Sequence, residues 1–461
     1  MKTYDVIIIG AGPAGYPSAI RLAQLKKKVL VIEKADIGGL CLNRGCIPTK
    51  ALTYALGFKN QIEKAKKFGF QGDFRLDIET LKNWKDGVVK RLRTGVEYLF
   101  KKNGVDYIQG IAQLINTNQV HLTGSSEEDL YEAENIIIAT GTEVKPLPSI
   151  DFDHKLIIDT DDALNLKKIP KSLLIIGAGA SGLEMATIYS LLNCKVTVAE
   201  MMNQILPGME RELCEILHRI LKKQGIEIYL NTYIESAKIS EGRTEVDIKI
   251  GDTIQKRYFD SILVTVGRRP ADTTFKGIGI KLDNNGFIEI TEDMRTNIKN
   301  IYAIGDITGP PLLAHKATRQ GIIATNIING QKTSLKKTAI PSCVFTQPPF
   351  SAVGLTEEQA RKMGYSIRIG RFPYRASGKA LAMAEPEGMI KIVGNEEGKL
   401  LGLHILGAES PNLIGEACLA ISKGLKVKDL AETIHPHPTL GEMIAEASDN
   451  FYHRAIHILN E

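Results

Sequence analysis

The sequence contains the same local pattern twice, and this repeat constrains the fold more than any other feature. In the first copy a mostly apolar run, residues 4–9, precedes a Gly-x-Gly-x-x-Gly motif, and a second apolar run, residues 29–32, ends at an acid. The marked positions of this copy are Gly10, Gly12, Gly15 and Glu33. The second copy places the same residue types 167 residues later, at Gly177, Gly179, Gly182 and Glu200. We therefore predict two βαβ units whose glycine-rich turns cradle a pyrophosphate with their amide groups.

The acid that closes each copy indicates the class of cofactor. Glu33 and Glu200 follow strands at positions where a carboxylate accepts hydrogen bonds from a ribose. A carboxylate there favours a 2′-hydroxyl and repels a 2′-phosphate. Glu200 precedes Met201 and Met202 without a nearby cation, so NAD is favoured over NADP in the second unit. The alternative is that one copy is a degenerate duplicate with a structural role only.

Two cysteines five residues apart, Cys41 and Cys46, follow the first copy. On an ideal helix their Cα atoms would lie about 8–9 Å apart, whereas a disulfide requires about 4.4–6.8 Å. A bridge therefore requires a distorted backbone, which Gly45 and Pro48 permit, because one adds backbone freedom and the other lacks an N–H. Two thiols beside a cofactor suggest electron transfer. The alternatives are two buried free cysteines or a static cross-link.

Length and composition limit the class of protein. A chain of 461 residues is longer than a single hydrophobic core usually supports. This length predicts about three or four domains. Its six cysteines are too few for a secreted disulfide scaffold, and in a reducing compartment a disulfide is more often catalytic than structural. We predict structural roles for the other four, which are Cys194, Cys214, Cys343 and Cys418.

Charge and hydropathy exclude two further classes. The net charge is +5, and the basic residues are interspersed with acidic ones. This distribution argues against nucleic-acid binding. No apolar run reaches the roughly 18 residues that span a membrane, and the first predicted strand begins too early to leave room for a targeting peptide. We expect a cytoplasmic protein.

Three further junctions between an apolar strand and a glycine predict cofactor contacts. Their residues are Thr140 and Gly141, Gly267 and Arg268, and Gly305 and Asp306. A carboxylate at Asp306 is placed to bond the polyol chain of a cofactor. Arg268 either meets the second cofactor or lies on a surface turn.

The order of apolar runs, glycines and prolines along the chain predicts the domain organisation. The first dinucleotide-binding domain comprises residues 1–145 and is completed by 271–338, and the second comprises residues 146–270. From residue 339 to 461 short strands alternate with helices, which is typical of a separate α+β domain.

The last cluster that predicts chemistry contains two histidines and an acid, His435, His437 and Glu442. A carboxylate that holds one ring nitrogen of a histidine orients the other nitrogen as a general base. Two alternatives remain open. Thr439 and Glu442 match a helix capping box, and two imidazoles with a carboxylate could bind a metal, although no further ligand set is evident and we predict none.

Together these motifs resemble the class I pyridine nucleotide-disulfide oxidoreductases, and within that family the dihydrolipoyl dehydrogenases. The matching stretches are the Gly10 fingerprint and residues 41–50, 177–185, 296–306, 313–317 and 435–442. The resemblance covers essentially the whole chain. It implies an α/β fold with two Rossmann-like dinucleotide-binding domains, FAD in the first and NAD in the second, and a C-terminal α+β dimerisation domain.

The resemblance also implies residue roles. Cys46 corresponds to the thiol that contacts the flavin, and Cys41 to the thiol that exchanges with lipoamide. Lys50 corresponds to a lysine beside the flavin, with Glu184 as its ion-pair partner. His437 corresponds to the acid–base residue, which a homodimer lends to the partner's active site.

In the same way Glu442 corresponds to the carboxylate that orients this histidine. Further cofactor contacts are implied for Asp306 and Ala314 at the flavin, Ala112 at adenine, and Ile234 and Arg268 at NAD.

The implied reaction is the oxidation of protein-bound dihydrolipoamide to lipoamide with NAD as acceptor. The lipoyl group would arrive on the acyltransferase of a 2-oxoacid dehydrogenase complex or on the aminomethyl carrier of a glycine cleavage complex. The alternatives are a glutathione or mercuric reductase-like enzyme of the same family, and a dimeric scaffold with residual flavin chemistry. Two positions depart from the family, Leu40 and Arg44, and a cation at Arg44 would favour a thiolate nearby.

Overall fold

A computed structural model of the chain describes residues 2–123, 129–148, 150–270, 274–275, 277–336 and 338–460. Its strands are β1 (Lys2–Ile9), β2 (Val29–Glu33), β3 (Asp106–Gln109), β4 (Ala112–Leu114), β5 (Gln119–Leu122), β6 (Leu130–Ile138), β7 (Thr142–Val144), β8 (Ile157–Ile158), β9 (Ser172–Ile176), β10 (Lys195–Ala199), β11 (Glu227–Tyr229), β12 (Thr232–Ser240), β13 (Arg243–Ile250), β14 (Thr253–Phe259), β15 (Ser261–Val264), β16 (Arg268–Pro270), β17 (Ile301–Ala303), β18 (Ser342–Val344), β19 (Phe350–Gly354), β20 (Ile367–Pro373), β21 (Met389–Asn395) and β22 (Leu400–Leu406).

The helices are α1 (Gly15–Gln24), α2 (Gly39–Arg44), α3 (Cys46–Lys67), α4 (Ile78–Asn103), α5 (Thr160–Leu164), α6 (Ala180–Leu191), α7 (Arg211–Lys223), α8 (Ala314–Ile328), α9 (Glu357–Lys362), α10 (Gly378–Ala382), α11 (Ser410–Lys423), α12 (Val427–Ala431) and α13 (Glu442–Phe451). Two short 3₁₀ helices cover Gly305–Thr308 and Tyr374–Ala376.

These elements form two compact units. The first unit contains residues 1–51, 76–145 and 267–336, and the second contains residues 52–75, 146–266 and 337–461. The second unit includes both the predicted second nucleotide-binding domain and the predicted C-terminal domain. The finer division into three domains stays a prediction, and its boundary at residue 271 lies outside the described residues.

The sheet of the first unit has the strand order β3-β2-β1-β6-β5-β4, and β17 also pairs with β6. The strands β3, β2, β1, β6 and β17 run parallel to one another. Strand β5 pairs antiparallel with β6, and β4 pairs antiparallel with β5. Alternate residues of β1 contribute to two different cores, Val6 and Ile8 to one and Ile7 and Ile9 to the other. A parallel strand covered on both faces needs such a continuous apolar run, which explains the pattern of residues 6–9.

The second unit contains a parallel sheet with the order β11-β10-β9-β15-β8. The antiparallel strands β12-β13-β14 pack against it through a core that includes Val246, Ile248 and Phe259. Helix α6 is buried from Gly182 to Tyr189. The predicted α/β class with two Rossmann-like sheets is confirmed.

The C-terminal part of the second unit is built on an antiparallel sheet with the order β18-β19-β22-β21-β20. Its core joins the sheet to α11 and α13, through residues such as Ile392, Leu403, Ala417 and Ile444. This arrangement of one sheet with helices on a face agrees with the predicted α+β pattern.

A buried lysine links several elements of the second unit. The side chain of Lys391 on β21 is 1% exposed, and its Nζ lies 2.8 Å from Glu210, 2.7 Å from Glu212 and 2.7 Å from Glu357. Arg371 adds a forked contact to Glu212 at 2.9–3.1 Å. The three carboxylates lie close enough to hold a metal, but the ammonium of Lys391 already lies among them. This Lys391 cluster ties α7 and α9 to the antiparallel sheet.

Candidate active site

The first glycine-rich turn follows β1 and opens α1. A Cβ atom on Gly15 would lie 1.8 Å from the carbonyl oxygen of Gly10. Only glycine therefore permits this close approach between the turn and the helix. The turn leaves amide groups at the beginning of α1, where a helix attracts anions.

The second turn reproduces this geometry. A Cβ on Gly182 would lie 2.0 Å from the carbonyl oxygen of Gly177, and α6 begins directly after Gly179. The repeat in the sequence is therefore a repeat in three dimensions.

The two strand-end acids each bind their own glycine-rich turn. Glu33 accepts from the N–H of Ala11 at 2.7 Å, and Glu200 accepts from the N–H of Ala178 at 2.7 Å. Both are buried, with 8% and 5% of the residue exposed. Sequence reasoning missed this contact with the turn. A role at a ribose stays a prediction, since each carboxylate keeps acceptor capacity beyond these bonds.

The segment that leads into Cys41 and Cys46 lies directly against the first glycine-rich turn. The N–H of Gly38 donates to the carbonyl of Ala11 at 2.9 Å. A Cβ on Gly39 would lie 2.5 Å from the Cα of Gly12, so glycine is required where α2 begins. The cysteines are thereby held beside the loop that is built to hold a pyrophosphate.

Cys41 and Cys46 form a disulfide with a Cα–Cα distance of 4.6 Å, as predicted. The backbone is not one continuous helix there, because α2 ends at Arg44, Gly45 has φ −140° and ψ −107°, and α3 begins at Cys46. The break at Gly45 brings the two Cα atoms closer than a regular helix would allow.

The other cysteines differ from this pair in their surroundings. Burial raises the pKa of Cys194 and of Cys214 to about 12, and that of Cys418 to about 11. A thiol with such a pKa is a poor nucleophile at neutral pH. Their surroundings agree with the structural roles predicted for them.

A second set of polar groups lies at the carboxyl ends of β6 and β17 in the first unit. The hydroxyl of Thr140 is buried and has no hydrogen-bond partner among the described residues. Asp306 follows β17, and burial raises its pKa although Lys316, Arg268 and Thr142 oppose the rise. An unpartnered hydroxyl and a largely buried acid beside the Gly10 turn fit a cofactor that carries hydroxyl groups.

Sequence reasoning missed Lys316 as an individual residue of this site. It lies in the first turn of α8, is 4% exposed, and its Nζ donates to the carbonyl of Gly309 at 2.5 Å. Burial lowers the pKa of Lys316, and Asp306 opposes that change. The sequence around a lysine at the start of an amphipathic helix does not indicate that the lysine is buried. The burial of Lys316 therefore becomes evident only in the folded structure.

Arg268 lies in the first unit on β16. Its guanidinium donates to the hydroxyl of Thr142 at 2.9 Å and to the carbonyl of Thr142 at 2.8 Å. It is half-buried, which disagrees with a simple surface turn. Its predicted contact with NAD stays a prediction.

Lys50 and Glu184 are placed on helices of different units. Lys50 is half-buried on α3, and Glu184 is buried on α6, where it accepts from the N–H of Phe345 at 2.9 Å. Their ion pair stays a prediction.

The remaining predicted contacts have the following positions. Ala112 is buried at the start of β4, Ala314 is the first residue of α8, and Ile234 is half-buried at a bulge of β12. Gly141 follows β6, Gly267 precedes β16 and Gly305 begins a 3₁₀ helix. None of these positions by itself tests the role that the resemblance implies.

The structure brings His437 and Glu442 together. Nδ1 of His437 lies 2.7 Å from Oε1 of Glu442, and Oε2 accepts from the N–H of Thr439 at 2.7 Å. These hydrogen bonds hold the pKa of Glu442 below its ordinary value although burial opposes them. The histidine side chain is 82% exposed, so its Nε2 edge is presented outward.

The capping alternative accounts for only half of this geometry. In a capping box Thr439 would be the N-cap of the helix, but α13 has Gly441 as its N-cap and no side-chain cap hydrogen bond. The Thr439 hydroxyl donates to the carbonyl of Pro436 at 2.8 Å. The carboxylate of Glu442 therefore fixes both the chain at Thr439 and the ring of His437.

Two dinucleotide-binding turns, with a disulfide beside the first, define a class of enzyme that moves electrons between a dithiol and a nucleotide cofactor. The sequence profile described as "Pyridine nucleotide-disulphide oxidoreductase" matches residues 4–321, and the profile of the corresponding dimerisation domain matches residues 340–448. The chain belongs to the pyridine nucleotide-disulphide oxidoreductase family. It is an oxidoreductase, and FAD and NAD are the cofactors of this family.

Curated relatives are similar over their whole length. A protein named dihydrolipoyl dehydrogenase from Thermus scotoductus is 44% identical, and the alignment covers 100% of both chains. One of the same name from Geobacillus stearothermophilus is 39% identical over 99% of this chain and 98% of the relative. The predicted family resemblance is confirmed.

Among solved structures, a similar one is the HOCl-induced flavoprotein disulfide reductase RclA from Escherichia coli. It has a TM-score of 0.86 and 29% identity, covering 97% of this chain and 99% of that one. The dimerisation profile supports a homodimer. Within the described part of the chain, no helix has the length and apolar character needed to cross a membrane.

Proposed function

We propose that this protein is a dihydrolipoyl dehydrogenase, which oxidises dihydrolipoamide to lipoamide with NAD as the electron acceptor. The observation that carries the proposal is the Cys41–Cys46 disulfide held against the first glycine-rich turn. The full-length relatives that bear this name support it, and so does the His437–Glu442 pair.

His437 begins the reaction as the base. A thiol with an ordinary pKa of about 8.5 is a poor nucleophile until it loses its proton. Nε2 of His437 takes the proton of one substrate thiol, while Glu442 holds Nδ1 and stabilises the imidazolium that forms.

The substrate thiolate then attacks Sγ of Cys41. The Cys41–Cys46 bond breaks, Cys46 leaves as a thiolate, and a mixed disulfide joins the substrate to Cys41. The second substrate thiol then attacks the substrate sulfur of that mixed disulfide, the bond to Sγ of Cys41 breaks, and the departing Cys41 sulfur takes the proton of the attacking thiol. This step releases lipoamide and leaves Cys41 and Cys46 as the reduced pair.

Bound FAD supplies a two-electron relay from this reduced pair to NAD. The groups that fit it are the Gly10 turn, the hydroxyl of Thr140 and the carboxyl of Asp306. The Gly177 turn and Glu200 are suited to NAD, because a buried carboxylate beside the turn disfavours a 2′-phosphate. In the homodimer, His437 of one protomer serves the disulfide of its partner.

The lipoyl group, in this proposal, arrives on another protein. We assign that carrier to the acyltransferase of a 2-oxoacid dehydrogenase complex or the aminomethyl carrier of a glycine cleavage complex. We place the enzyme in the cytoplasm, where its four remaining cysteines stay reduced.

The test is reduction of NAD by dihydrolipoamide, with protein purified or reconstituted with FAD. We expect rapid NADH formation, much slower reduction of NADP, and no comparable turnover of glutathione disulfide or Hg(II) with NADH or NADPH. Failure to oxidise dihydrolipoamide, with FAD bound and NADH still oxidised by ferricyanide, would contradict the proposed substrate.

A further inference from the structure

The second histidine of the C-terminal cluster, His435, makes contacts that the reaction described above does not use. Its side chain is 10% exposed. Nε2 lies 3.1 Å and 3.2 Å from the two carboxylate oxygens of Glu416 on α11, and Nδ1 lies 2.9 Å from the carbonyl oxygen of Thr433.

These contacts determine the protonation of the ring. A backbone carbonyl and an ionised carboxylate only accept hydrogen bonds. Both ring nitrogens must therefore donate, and a histidine that donates from both nitrogens is an imidazolium. The bond to Glu416 raises the pKa of His435, with Thr433 and Glu442 acting in the same sense and burial opposing them.

The ring of His435 lies beside the Cβ position of the glycine that precedes Glu442. A Cβ on Gly441 would lie 3.4 Å from Cδ2 of the ring, and Gly441 directly precedes Glu442 at the start of α13. The ring is therefore adjacent to the point where α13 begins, and from that point the carboxylate of Glu442 holds His437.

We propose that His435, held as an imidazolium by Glu416 and Thr433, is a positioning residue for the His437–Glu442 pair. The inference rests on the proposed function, because it assigns a role in the proton transfer of that reaction. His435 supports the segment that presents His437, and its charge acts on the same pair.

The positive charge of His435 should change the protonation of the His437–Glu442 pair in a definite direction. The charged groups that face His435 among the described residues are Glu416 on α11 and Glu442 on α13. A fixed positive charge beside Glu442 stabilises its carboxylate and opposes a second positive charge on the neighbouring ring. Removal of the charge makes protonation of the pair easier.

The experiment compares three single variants and one double variant of the FAD-loaded enzyme. His435→Gln removes the imidazolium, and Glu416→Gln removes its carboxylate partner while it keeps an acceptor oxygen. The matched control is His154→Gln, since Nδ1 of His154 contacts Asp162 at 2.7 Å and its side chain is 60% exposed. The readouts are kcat/KM for dihydrolipoamide as a function of pH, flavin content and NADH oxidation by ferricyanide.

We expect His435→Gln to lower kcat/KM by about 10- to 100-fold, the range for misplacing a reacting group by up to about 1 Å. The acid side of the pH profile should move to higher pH in both His435→Gln and Glu416→Gln. Combining the two substitutions should add little. Flavin content and ferricyanide activity should stay at the wild-type level in every variant, and His154→Gln should match wild type throughout.

Two outcomes would overturn the positioning role. One is a wild-type kcat/KM and pH profile in both His435→Gln and Glu416→Gln. The other is an equal loss of flavin and of ferricyanide activity, which indicates a general structural role. If wild-type enzyme does not oxidise dihydrolipoamide, the proposed function fails instead, and the positioning role falls with it.

A direct measurement on the wild-type enzyme does not depend on the variants' folding. In protein labelled with ¹⁵N-histidine, we expect both ring nitrogens of His435 to carry protons near neutral pH, with Glu416→Gln identifying the signal by its shift. A neutral ring in the wild-type protein would contradict the inference.

Discussion

At the scale of single residues, the chemistry depends on which atoms the backbone brings within bonding distance. Cys41 and Cys46 are close because Gly45 interrupts the helix between them. His437 is oriented because Glu442 reaches its Nδ1. The spacing of the cysteines suggested the first pair, with free thiols as the alternative, and the resemblance to the family implied the second. The sequence could not predict that Glu33 and Glu200 also bind their own turns, since that contact depends on how the loop folds back.

The first prediction concerns Cys46. In wild-type enzyme titrated anaerobically with dihydrolipoamide, we expect a long-wavelength absorbance from a thiolate in contact with the flavin. Cys46→Ser should abolish that band and the turnover, because an alcohol does not ionise in this range. Cys194→Ala, which changes a buried and inert thiol, should keep the band. A band that persists in Cys46→Ser would assign the contact to another group.

The second prediction concerns the base. His437→Gln should slow turnover of dihydrolipoamide by about 10²- to 10⁴-fold, the usual contribution of a positioned acid–base group, while the flavin remains bound. The matched control is His457→Gln, because His457 also contacts a glutamate at 2.7 Å. Near-normal turnover in His437→Gln would leave the link to Thr439 as the main role of Glu442.

At the scale of elements, the Lys391 cluster links α7 and α9 to the antiparallel sheet of the second unit. It joins residues that are far apart in the sequence, so no local pattern indicates it. Burial opposes the charge of Lys391, but its three carboxylate partners raise its pKa above the ordinary value. The pair Lys391 and Glu210 is almost completely buried. Removing one partner of such a pair strongly destabilises a protein, because the other charge stays buried without a counter-charge.

The third prediction follows from this cluster. Lys391→Met should destabilise the protein by about 3–5 kcal/mol, because it leaves the buried carboxylate of Glu210 without its cation. Lys428→Met is the control, since Lys428 forms an exposed pair with Glu432 worth about 0.5 kcal/mol or less. Urea denaturation of the FAD-loaded enzyme measures the difference. Equal midpoints for the two variants would show that the cluster contributes little.

The pH dependence of stability has the corresponding sign. Burial alone would raise the pKa of Glu212 and of Glu357, but hydrogen bonds from Lys391 and from arginines lower it. Their contribution is present above the ordinary carboxyl pKa of about 4.3 and is lost as the pH falls through the lowered values. Wild type should therefore lose stability more steeply than Lys391→Met in this acidic range. At the other end, the contribution of Lys391 is lost as the pH rises through its raised pKa.

At the scale of the whole molecule, the reaction as we propose it uses two copies of the chain. The dimerisation profile covers residues 340–448, which include His437 and Glu442, whereas the disulfide lies in the first unit. A site shared between protomers has a specific consequence, because a symmetric dimer then contains two composite sites.

The fourth prediction tests whether each site is formed by both protomers. We expect no turnover from Cys46→Ser and at most about 1% of the wild-type turnover from His437→Gln, but a mixed dimer of the two contains one complete site. Dissociating and reassociating equal amounts should restore about a quarter of the wild-type activity, since half the dimers are mixed and each has one of its two sites intact. Activity that stays at the level of the separate variants after confirmed subunit exchange would show that each protomer uses its own histidine.

The sequence by itself determined the two strand–turn–helix units, the disulfide pair and the class of chemistry. These depend on residues close together in the chain, where glycine spacing, apolar runs and backbone geometry leave few conformations. Only the tertiary structure decided which distant groups share an environment. Asp306 beside Lys316 and Arg268, the Lys391 cluster, and His435 on Glu416 all depend on burial and on side chains contributed by separate elements. Desolvation and partner charge set the protonation of such groups, and neither quantity can be read before the chain has folded.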